Sequence, residues 1–288
     1  MATLKAIRKR ISSIRNTQQI TKAMKMVSAA KLRRAQEAVL QARPYAEKMA
    51  ALLKNLSARV SAQAHPLLLP REEERSAHLL LLTADRGLCG GYNANLIRAA
   101  EGFLRRYGPE KEVHLTVVGR KGVDYFRRRK VEIADRYLQA WSHPPEEIAS
   151  ELAEKMIGYF LRAECDSVSI LYSRFRSALS QVPTLERLVP VAPAEPAGGE
   201  QPVEYLCEPG VDGLLARLLP KVVEVGIYRS LLEAAASEHG ARMTAMDSAT
   251  TNAAEIISTL TLQMNRARQA SITRELMEVV STAEALKS

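Results

Sequence analysis

The residues of this chain most able to do chemistry lie between Thr83 and Asn93, where the sequence reads TADRGLCGGYN. A glycine-rich turn between a strand and a helix is where phosphate-binding loops form, because helix N-terminal amides point at the anion. This run matches neither the GxGxxG dinucleotide fingerprint nor a P-loop, which requires Lys-Ser/Thr after its last glycine. Gly87, Gly90 and Gly91 have a second reading as tight-turn and close-packing residues, through their tolerance of positive φ. Cys89 reads either as a nucleophile or as a small buried filler, and no histidine lies near it in sequence. His65, His78, His114, His143 and His239 show no metal-ligand spacing, and neither a metal nor a cofactor is expected. Cys89, Cys165 and Cys207 form no CxxC pair and no even set, as expected of a reducing compartment without disulfides or structural zinc.

Charge is the second signal. The net charge is +9, yet residues 1–36 carry ten of the 41 Lys and Arg and no acid, so the rest of the chain is near neutral. An exposed helix usually mixes acids among its bases at i, i+4. A nucleic-acid arm is one reading, but residues 1–36 hold no aromatic residue and no DNA-reading motif. A transit peptide is another, although the helical pattern runs on to residue 65 without a cleavage-like break. The remaining reading is a basic rod facing an acidic protein, where charge contributes steering and orientation.

The elements that must position these residues follow from periodicity. Ala241 to Ser288 contains neither Gly nor Pro. Met243, Met246, Thr250, Ala253, Ile257, Leu260, Met264 and Ala267 recur at alternating steps of three and four, a coiled-coil seam. It then shifts to Ile272, Leu276, Val279, Ala283 and Leu286, which relaxes the supercoil. At the other end, Leu4, Ile7, Ile11, Ile14, Thr21 and Met24 open a seam. A second run follows through Ala35, Ala38, Ala42, Tyr45, Met49, Leu52 and Leu56, with Pro44 as an expected kink. So thin a helix needs a partner. An intramolecular antiparallel pairing of the two ends is the economical solution, and a parallel homodimer through either helix competes with it.

Between them the period changes. Ala77–Thr83, Glu112–Gly119 and Asp166–Ser173 read as strands, and Leu179–Val191 as an edge strand because of Pro183. Asn93–Tyr107, Gly122–Arg129 and Pro144–Arg162 read as helices. Alternation of this kind implies an α/β domain with a mostly parallel sheet. Val191–Pro202 reads as a connector. Gly210–His239 reads as a helix kinked at Pro220 and Gly226, with Gly240 before the final rod. The expected architecture is α/β plus coiled coil: residues 1–65 and 209–288 form the coil, and residues 75–203 a Rossmann-like central domain. No apolar run reaches the roughly 18 residues that cross a bilayer, and no secretory signal opens the chain.

Four blocks then converge: ITKAMKMVSAAKLRRAQ from Ile20, TADRGLCGGYN from Thr83, SEHGARMTAM from Ser237 and NRARQASITRELME from Asn265. In this order they closely resemble the gamma-subunit family of the F-type ATP synthases, over essentially the full length. The resemblance implies an antiparallel coiled-coil shaft with an α/β foot, itself non-catalytic and without cofactor. Such a shaft turns inside a hexamer of alpha and beta subunits, and its foot binds the epsilon subunit and the membrane c-ring. It implies membrane association only through the Fo sector, on the cytoplasmic face of the bacterial inner membrane, and no nucleic acid. By motif match, Met24 and Arg242 resemble collar residues near an acidic loop of beta, with Lys22, Lys25, Arg33 and Arg34 around them. Arg268 and Gln269 resemble a polar catch on a beta loop, and Thr273, Glu275 and Glu278 share that block. Met24 also reads as seam packing, and Glu275 and Glu278 as solvated helix charges. Tyr205 and Glu208 match the segment that meets the c-ring. The chain departs from the family pattern at Thr282 (usually Gly), Cys207 (commonly Tyr) and Gly240 (usually Ala), and it lacks the cysteine-bearing insertion of chloroplast forms. A nucleotide-binding α/β enzyme using Gly87–Gly91 and a basic coiled-coil nucleic-acid binder are the alternative readings.

Overall fold

The computed structural model describes residues 4–57, 65–71, 73–191 and 211–285. It contains α1 (Leu4–Ser57), β1 (Ser76–Leu82), α2 (Tyr92–Tyr107), β2 (Glu112–Val118), α3 (Arg120–Arg128), β3 (Asp135–Tyr137), α4 (Pro145–Leu161), β4 (Ser167–Phe175), β5 (Gln181–Val189) and α5 (Val211–Ala285). Two compact units divide these elements: Met1–Val27 with Met243–Ser288, and Ser28–Arg242.

The second unit is built on a five-stranded sheet of order β3-β2-β1-β4-β5. β1 pairs in parallel with β2 and with β4, β2 pairs in parallel with β3, and β4 pairs antiparallel with β5. β1 is central and buried along nearly its whole length, which is why it reads as an unbroken apolar run rather than an alternation. Alternate residues still face opposite ways. Leu79, Leu81, Leu115 and Val117 pack with α2 and α3, while Leu80, Leu82, Val168 and Ile170 pack with α4 and α5. β5 is an edge strand, where Pro183 is tolerated. The three-residue β3 is too short to leave a periodic signal.

The expected kinked helix, from Val211 on, and the final rod are one helix. α5 runs 75 residues with Pro220 inside it, and it also passes through Gly226 and Gly240. Magnitudes explain this. Leu215, Leu219, Val223, Ile227 and Leu231 recur every four residues and are almost fully buried against the sheet. At about 1.5–3 kcal/mol for each large side chain, that stripe outweighs the roughly 3 kcal/mol cost of an internal proline. Gly240 is a point of close approach: a Cβ there would lie 3.2 Å from the Phe175 ring and 3.4 Å from Ala178 Cα in the β4–β5 turn. Helix α1 likewise continues through Pro44, which is exposed. Of its expected later seam, Met49 is buried and Ala35, Ala38, Ala42 and Leu52 are half-buried, while Tyr45 points outward; Leu32 and Leu53 are buried positions that the expected seam did not include.

In the first unit α1 and α5 pair antiparallel within the chain. Thr21 Oγ1 lies 2.8 Å from Thr250 Oγ1, and Lys25 Nζ lies 2.6 Å from Asp247 Oδ1, so numbers rise along one helix as they fall along the other. Ile11, Thr21, Met246, Ala253 and Leu260 are buried in the seam. The seam through Ala267 is as expected. Among the described residues nothing covers the shifted seam: Ile272, Leu276 and Val279 are 50%, 59% and 68% exposed, because α5 extends past the level of Leu4, the first described residue of α1.

A polar network crosses the second unit between the sheet and α4. His78 Nε2 lies 2.8 Å from Thr116 Oγ1, and Asp135 accepts from Tyr159 Oη at 2.6 Å and from Lys155 Nζ at 2.9 Å. Burial pushes the His78 imidazole down to about 4. The folded state therefore stays unprotonated while the unfolded chain takes up a proton below about 6.5, so His78 lowers stability as pH falls from about 6.5 to about 4 and adds no slope below that. Relative to wild type, His78→Gln is expected to lose about 3 kcal/mol less on going from pH 7 to pH 4, as measured by urea unfolding. Equal pH slopes would show that His78 is protonated in the fold. Gly119 has φ 95° and would place a Cβ 2.1 Å from the Thr83 carbonyl oxygen. Gly119→Ala should therefore lower stability by about 3 kcal/mol or more, and an unchanged melting temperature would contradict that packing.

Candidate functional site

In open α/β sheets, ligands bind at the carboxyl ends of the strands where the strand order reverses. Here that point lies beyond β1, between β1 and β4, and the TADRGLCGGYN run occupies it. Thr83, Asp85, Tyr92 and Asn93 each have an internal task. Thr83 Oγ1 donates to the Val118 carbonyl at 2.8 Å and accepts from Gly122 N at 3.0 Å, while the Thr83 carbonyl accepts from Trp141 Nε1 at 2.8 Å. Asp85 accepts from the amides of Arg120 and Gln139, tying the loop to the start of α3 and to the segment after β3. Asn93 accepts from Ala84 N at 3.0 Å and donates to Cys89 Sγ at 3.2 Å. Tyr92 Oη donates to the Ala234 carbonyl of α5 at 3.3 Å.

The crevice itself is closed by α5. Arg242, only 9% exposed, reaches the Gly87 carbonyl from Nε at 3.4 Å and from Nη2 at 3.3 Å, and the Arg86 carbonyl from Nη2 at 3.4 Å. The same Nη2 pairs with Glu238 Oε1 at 2.7 Å, one helical turn earlier. A guanidinium thus covers the carbonyls of the turn, where a phosphate-binding loop would present free amides. Burial pushes the Glu238 carboxyl above the usual carboxylate range, against the pull of Arg242. Burial likewise pushes His239 down to about 4 and raises the Cys89 thiol, so the site offers no thiolate nucleophile near neutral pH. The glycine loop is a seat for a helix.

The remaining positions singled out in the sequence fall into three sets. Arg242 is turned inward. Lys22, Arg33 and Arg34 are exposed on α1, where Arg33 pairs with Glu37 at 3.0 Å; Lys25 is half-buried and engages Asp247 within the chain; Met24 is half-buried at the edge of the seam. Arg268, Gln269, Thr273, Glu275 and Glu278 are all exposed near the end of α5. Ser271 Oγ donates to Glu275 Oε1 at 3.1 Å, and Thr273 and Thr282 hydroxyls donate to backbone carbonyls four residues back. Arg268 makes no hydrogen bond or ion pair among the described residues. Tyr205, Cys207 and Glu208 lie outside the described residues.

Sequence reasoning missed Glu238 as the partner of Arg242 and missed the loop as its seat. The first was legible as a Glu-to-Arg i, i+4 pair. The second joins residues far apart in the chain and left no local signal. Among the described residues no cluster of His, Cys, Asp and Glu is arranged to hold a metal.

Comparison with known proteins places this geometry. The family model described as ATP synthase matches residues 3–286. The ATP synthase gamma chain of Geotalea daltonii is 52% identical over the whole of both chains, and that of Moorella thermoacetica is 49% identical, also end to end. Among solved structures, a chain of the Euglena gracilis mitochondrial ATP synthase, in a complex of OSCP, F1 and c-ring, superposes with a TM-score of 0.68 at 18% identity, covering 98% of this chain and 94% of that one. A chain from the central stalk and c-ring of the Tetrahymena thermophila enzyme gives 0.62 at 23% identity, covering 80% of this chain and 99% of that one. On the strength of the end-to-end sequence matches, this chain belongs to the ATP synthase gamma chain family.

Proposed function

We propose that this chain is the central rotor shaft of an F-type ATP synthase. It couples rotation of the c-ring to the conformational cycle of the catalytic beta subunits, and in reverse it couples ATP hydrolysis to ion pumping. The observation that carries the reading is the antiparallel pair α1/α5 with a thin seam of Thr, Ala, Met and Ile, beyond which α5 continues with its side chains exposed. Such a pair is slim enough to sit on the axis of a ring of subunits, and its surface differs from side to side. That asymmetry is necessary, because a shaft can drive three equivalent sites through different states only by contacting each differently.

On this reading the chain binds the alpha/beta hexamer through the coil and the epsilon subunit and c-ring through its α/β foot, with Tyr205 and Glu208 in the foot contact. It is non-catalytic by itself, since the nucleotide sites belong to the hexamer. Its association with the cytoplasmic face of the bacterial membrane runs through the c-ring. In support, no described helix is long and apolar enough to cross a membrane.

Exposure divides the coupling residues into two kinds. Arg268, Gln269, Thr273, Glu275 and Glu278 are available to a beta-subunit loop. Lys22, Arg33 and Arg34 present positive charge to an acidic one, with Lys25 and Met24 beside them. Arg242 acts from within, by holding the loop at Arg86 and Gly87. Arg242→Gln should therefore destabilise the isolated chain by about 3 kcal/mol, because Glu238 is left buried without its cation. Arg268→Gln should change stability by less than about 0.5 kcal/mol while lowering ATP synthesis in reconstituted vesicles. Thermal melts and synthesis rates on the two variants test the division; equal melts, or unchanged synthesis in Arg268→Gln, would contradict it. The function itself is tested by rebuilding the complex with and without this chain: full proton-driven ATP synthesis in its absence would overturn the reading.

A further inference from the structure

Helices α2 and α3 lie together on the face of the sheet opposite α4 and α5. Between them runs an open groove of about 430 Å³. Buried Ile97 lines it, with Arg98 beside it on α2 and Lys121, Asp124 and Arg128 on α3. Steps of three and four along α3 put those three residues on one side of the helix.

The charges in the groove are left unmatched. Glu101, its other acid, is already engaged: it accepts from Tyr125 Oη at 2.8 Å and pairs with Arg129 Nη1 at 3.5 Å. Lys121, Asp124 and Arg128 stand at spacings where opposite charges ordinarily pair along a helix. Here they do not. Among the described residues their side chains make no hydrogen bond or ion pair, and Arg98 makes only a 3.4 Å contact with Asn95 Oδ1 on its own helix. Three exposed cations therefore face one half-buried carboxylate across an unfilled space.

The surroundings reinforce the sign. Residues 98–130 hold ten Lys or Arg and four Asp or Glu, whereas residues 144–166, which contain α4 on the other face, hold two and six. The sheet thus separates charge, and its α2/α3 face draws anions. Asn93 and Ala94, in the first turn of α2, form one end of the groove; that turn contains no acid and no capping side chain, so the helix dipole adds to the pull.

From this juxtaposition we propose that the α2–α3 groove binds a phosphate ester with neighbouring hydroxyls, its phosphate held by Arg98, Lys121 and Arg128 and its hydroxyls donating to Asp124. Guanidinium forks match phosphate oxygens in pairs. A carboxylate among them opposes a bare phosphate and becomes favourable where it accepts from a hydroxyl. The volume lies in the range of small-molecule sites, roughly 300–1,000 Å³. Two sources share this chemistry: the ribose phosphate of a soluble nucleotide, and the glycerol phosphate head of an anionic lipid. The site uses none of the coupling residues and goes beyond the rotor reading.

The full-length chain is titrated calorimetrically with ATP and with tripolyphosphate, both free of magnesium. It is also sedimented with phosphatidylcholine vesicles that contain or lack phosphatidylglycerol. Two double variants separate the groove from the general charge of the face. Arg98→Gln/Arg128→Gln removes groove cations, and Arg106→Gln/Arg127→Gln removes two cations from the same helices outside it. The first should bind about tenfold more weakly than wild type and the second within about twofold, and both should melt as wild type does. Because the basic α1 attracts any anionic vesicle, the difference between the two variants is what reports the groove in the lipid arm. Asp124→Ala should weaken binding of ATP and strengthen that of tripolyphosphate. If only vesicles bind, phosphatidylglycerol and phosphatidic acid take those two places. The selective loss with ATP assigns a soluble ligand, and the same loss with phosphatidylglycerol alone assigns a lipid head. Binding of neither probe by wild type overturns the proposal. So do equal losses in the two double variants, which mean a diffuse basic surface, or a lower melting temperature in the first alone, which means that its arginines serve the fold. A shift of both ligands in the same direction by Asp124→Ala overturns the assignment of the hydroxyls.

Discussion

The second unit depends on one buried ion pair. Glu238 and Arg242 lie one turn apart on α5, 7% and 9% exposed, with their charged atoms 2.7 Å apart. Two charges withdrawn from water are costly to keep, and an apolar pair of similar volume often does as well for stability. The pair is informative for what else the guanidinium does. Its Nε and Nη2 also reach the Arg86 and Gly87 carbonyls, and these contacts bind a long helix to the turn after the central strand. The sheet then carries the helix, and the helix closes the crevice where an α/β sheet would ordinarily take a ligand. A Rossmann-like domain is thereby converted from a binding fold into a mount.

The packing of α5 follows the same logic. Its stripe from Leu215 to Leu231 is buried deeply enough to hold Pro220 within the helix, and Gly240 lets the backbone approach Phe175 and the β4–β5 turn. In the first unit the balance is different. The α1/α5 seam buries small and polar side chains, and one of its contacts is a hydroxyl pair, Thr21 with Thr250. Thin packing of this kind keeps two helices close together, and it leaves the exposed faces to distinguish one side of the coil from another.

Much of this was legible in the sequence, and what was not has physical causes. The strands β1, β2 and β4 and the seam from Met243 to Ala267 announce themselves through strong local periodicity. The edge position of β5 followed from Pro183. The continuity of α5 was hidden because Pro and Gly are local breakers, whereas the packing that overrides them is tertiary. The shifted seam from Ile272 onward read as an interface, yet Ile272, Leu276 and Val279 are exposed, because periodicity reports an apolar face without saying whether the same chain covers it. Arg242 was recognised by family motif as a residue meeting a partner, and its buried setting depends on a loop more than 150 positions away in the chain.

The central claim is that this chain turns as a shaft. The most direct measurement attaches a visible probe to the α/β foot and fixes the alpha/beta hexamer to a surface, then follows the probe while ATP is hydrolysed. The account predicts rotation in one direction that stops when ATP is exhausted. Sustained ATP hydrolysis by the assembled complex with the probe stationary, or moving without a preferred direction, would contradict it.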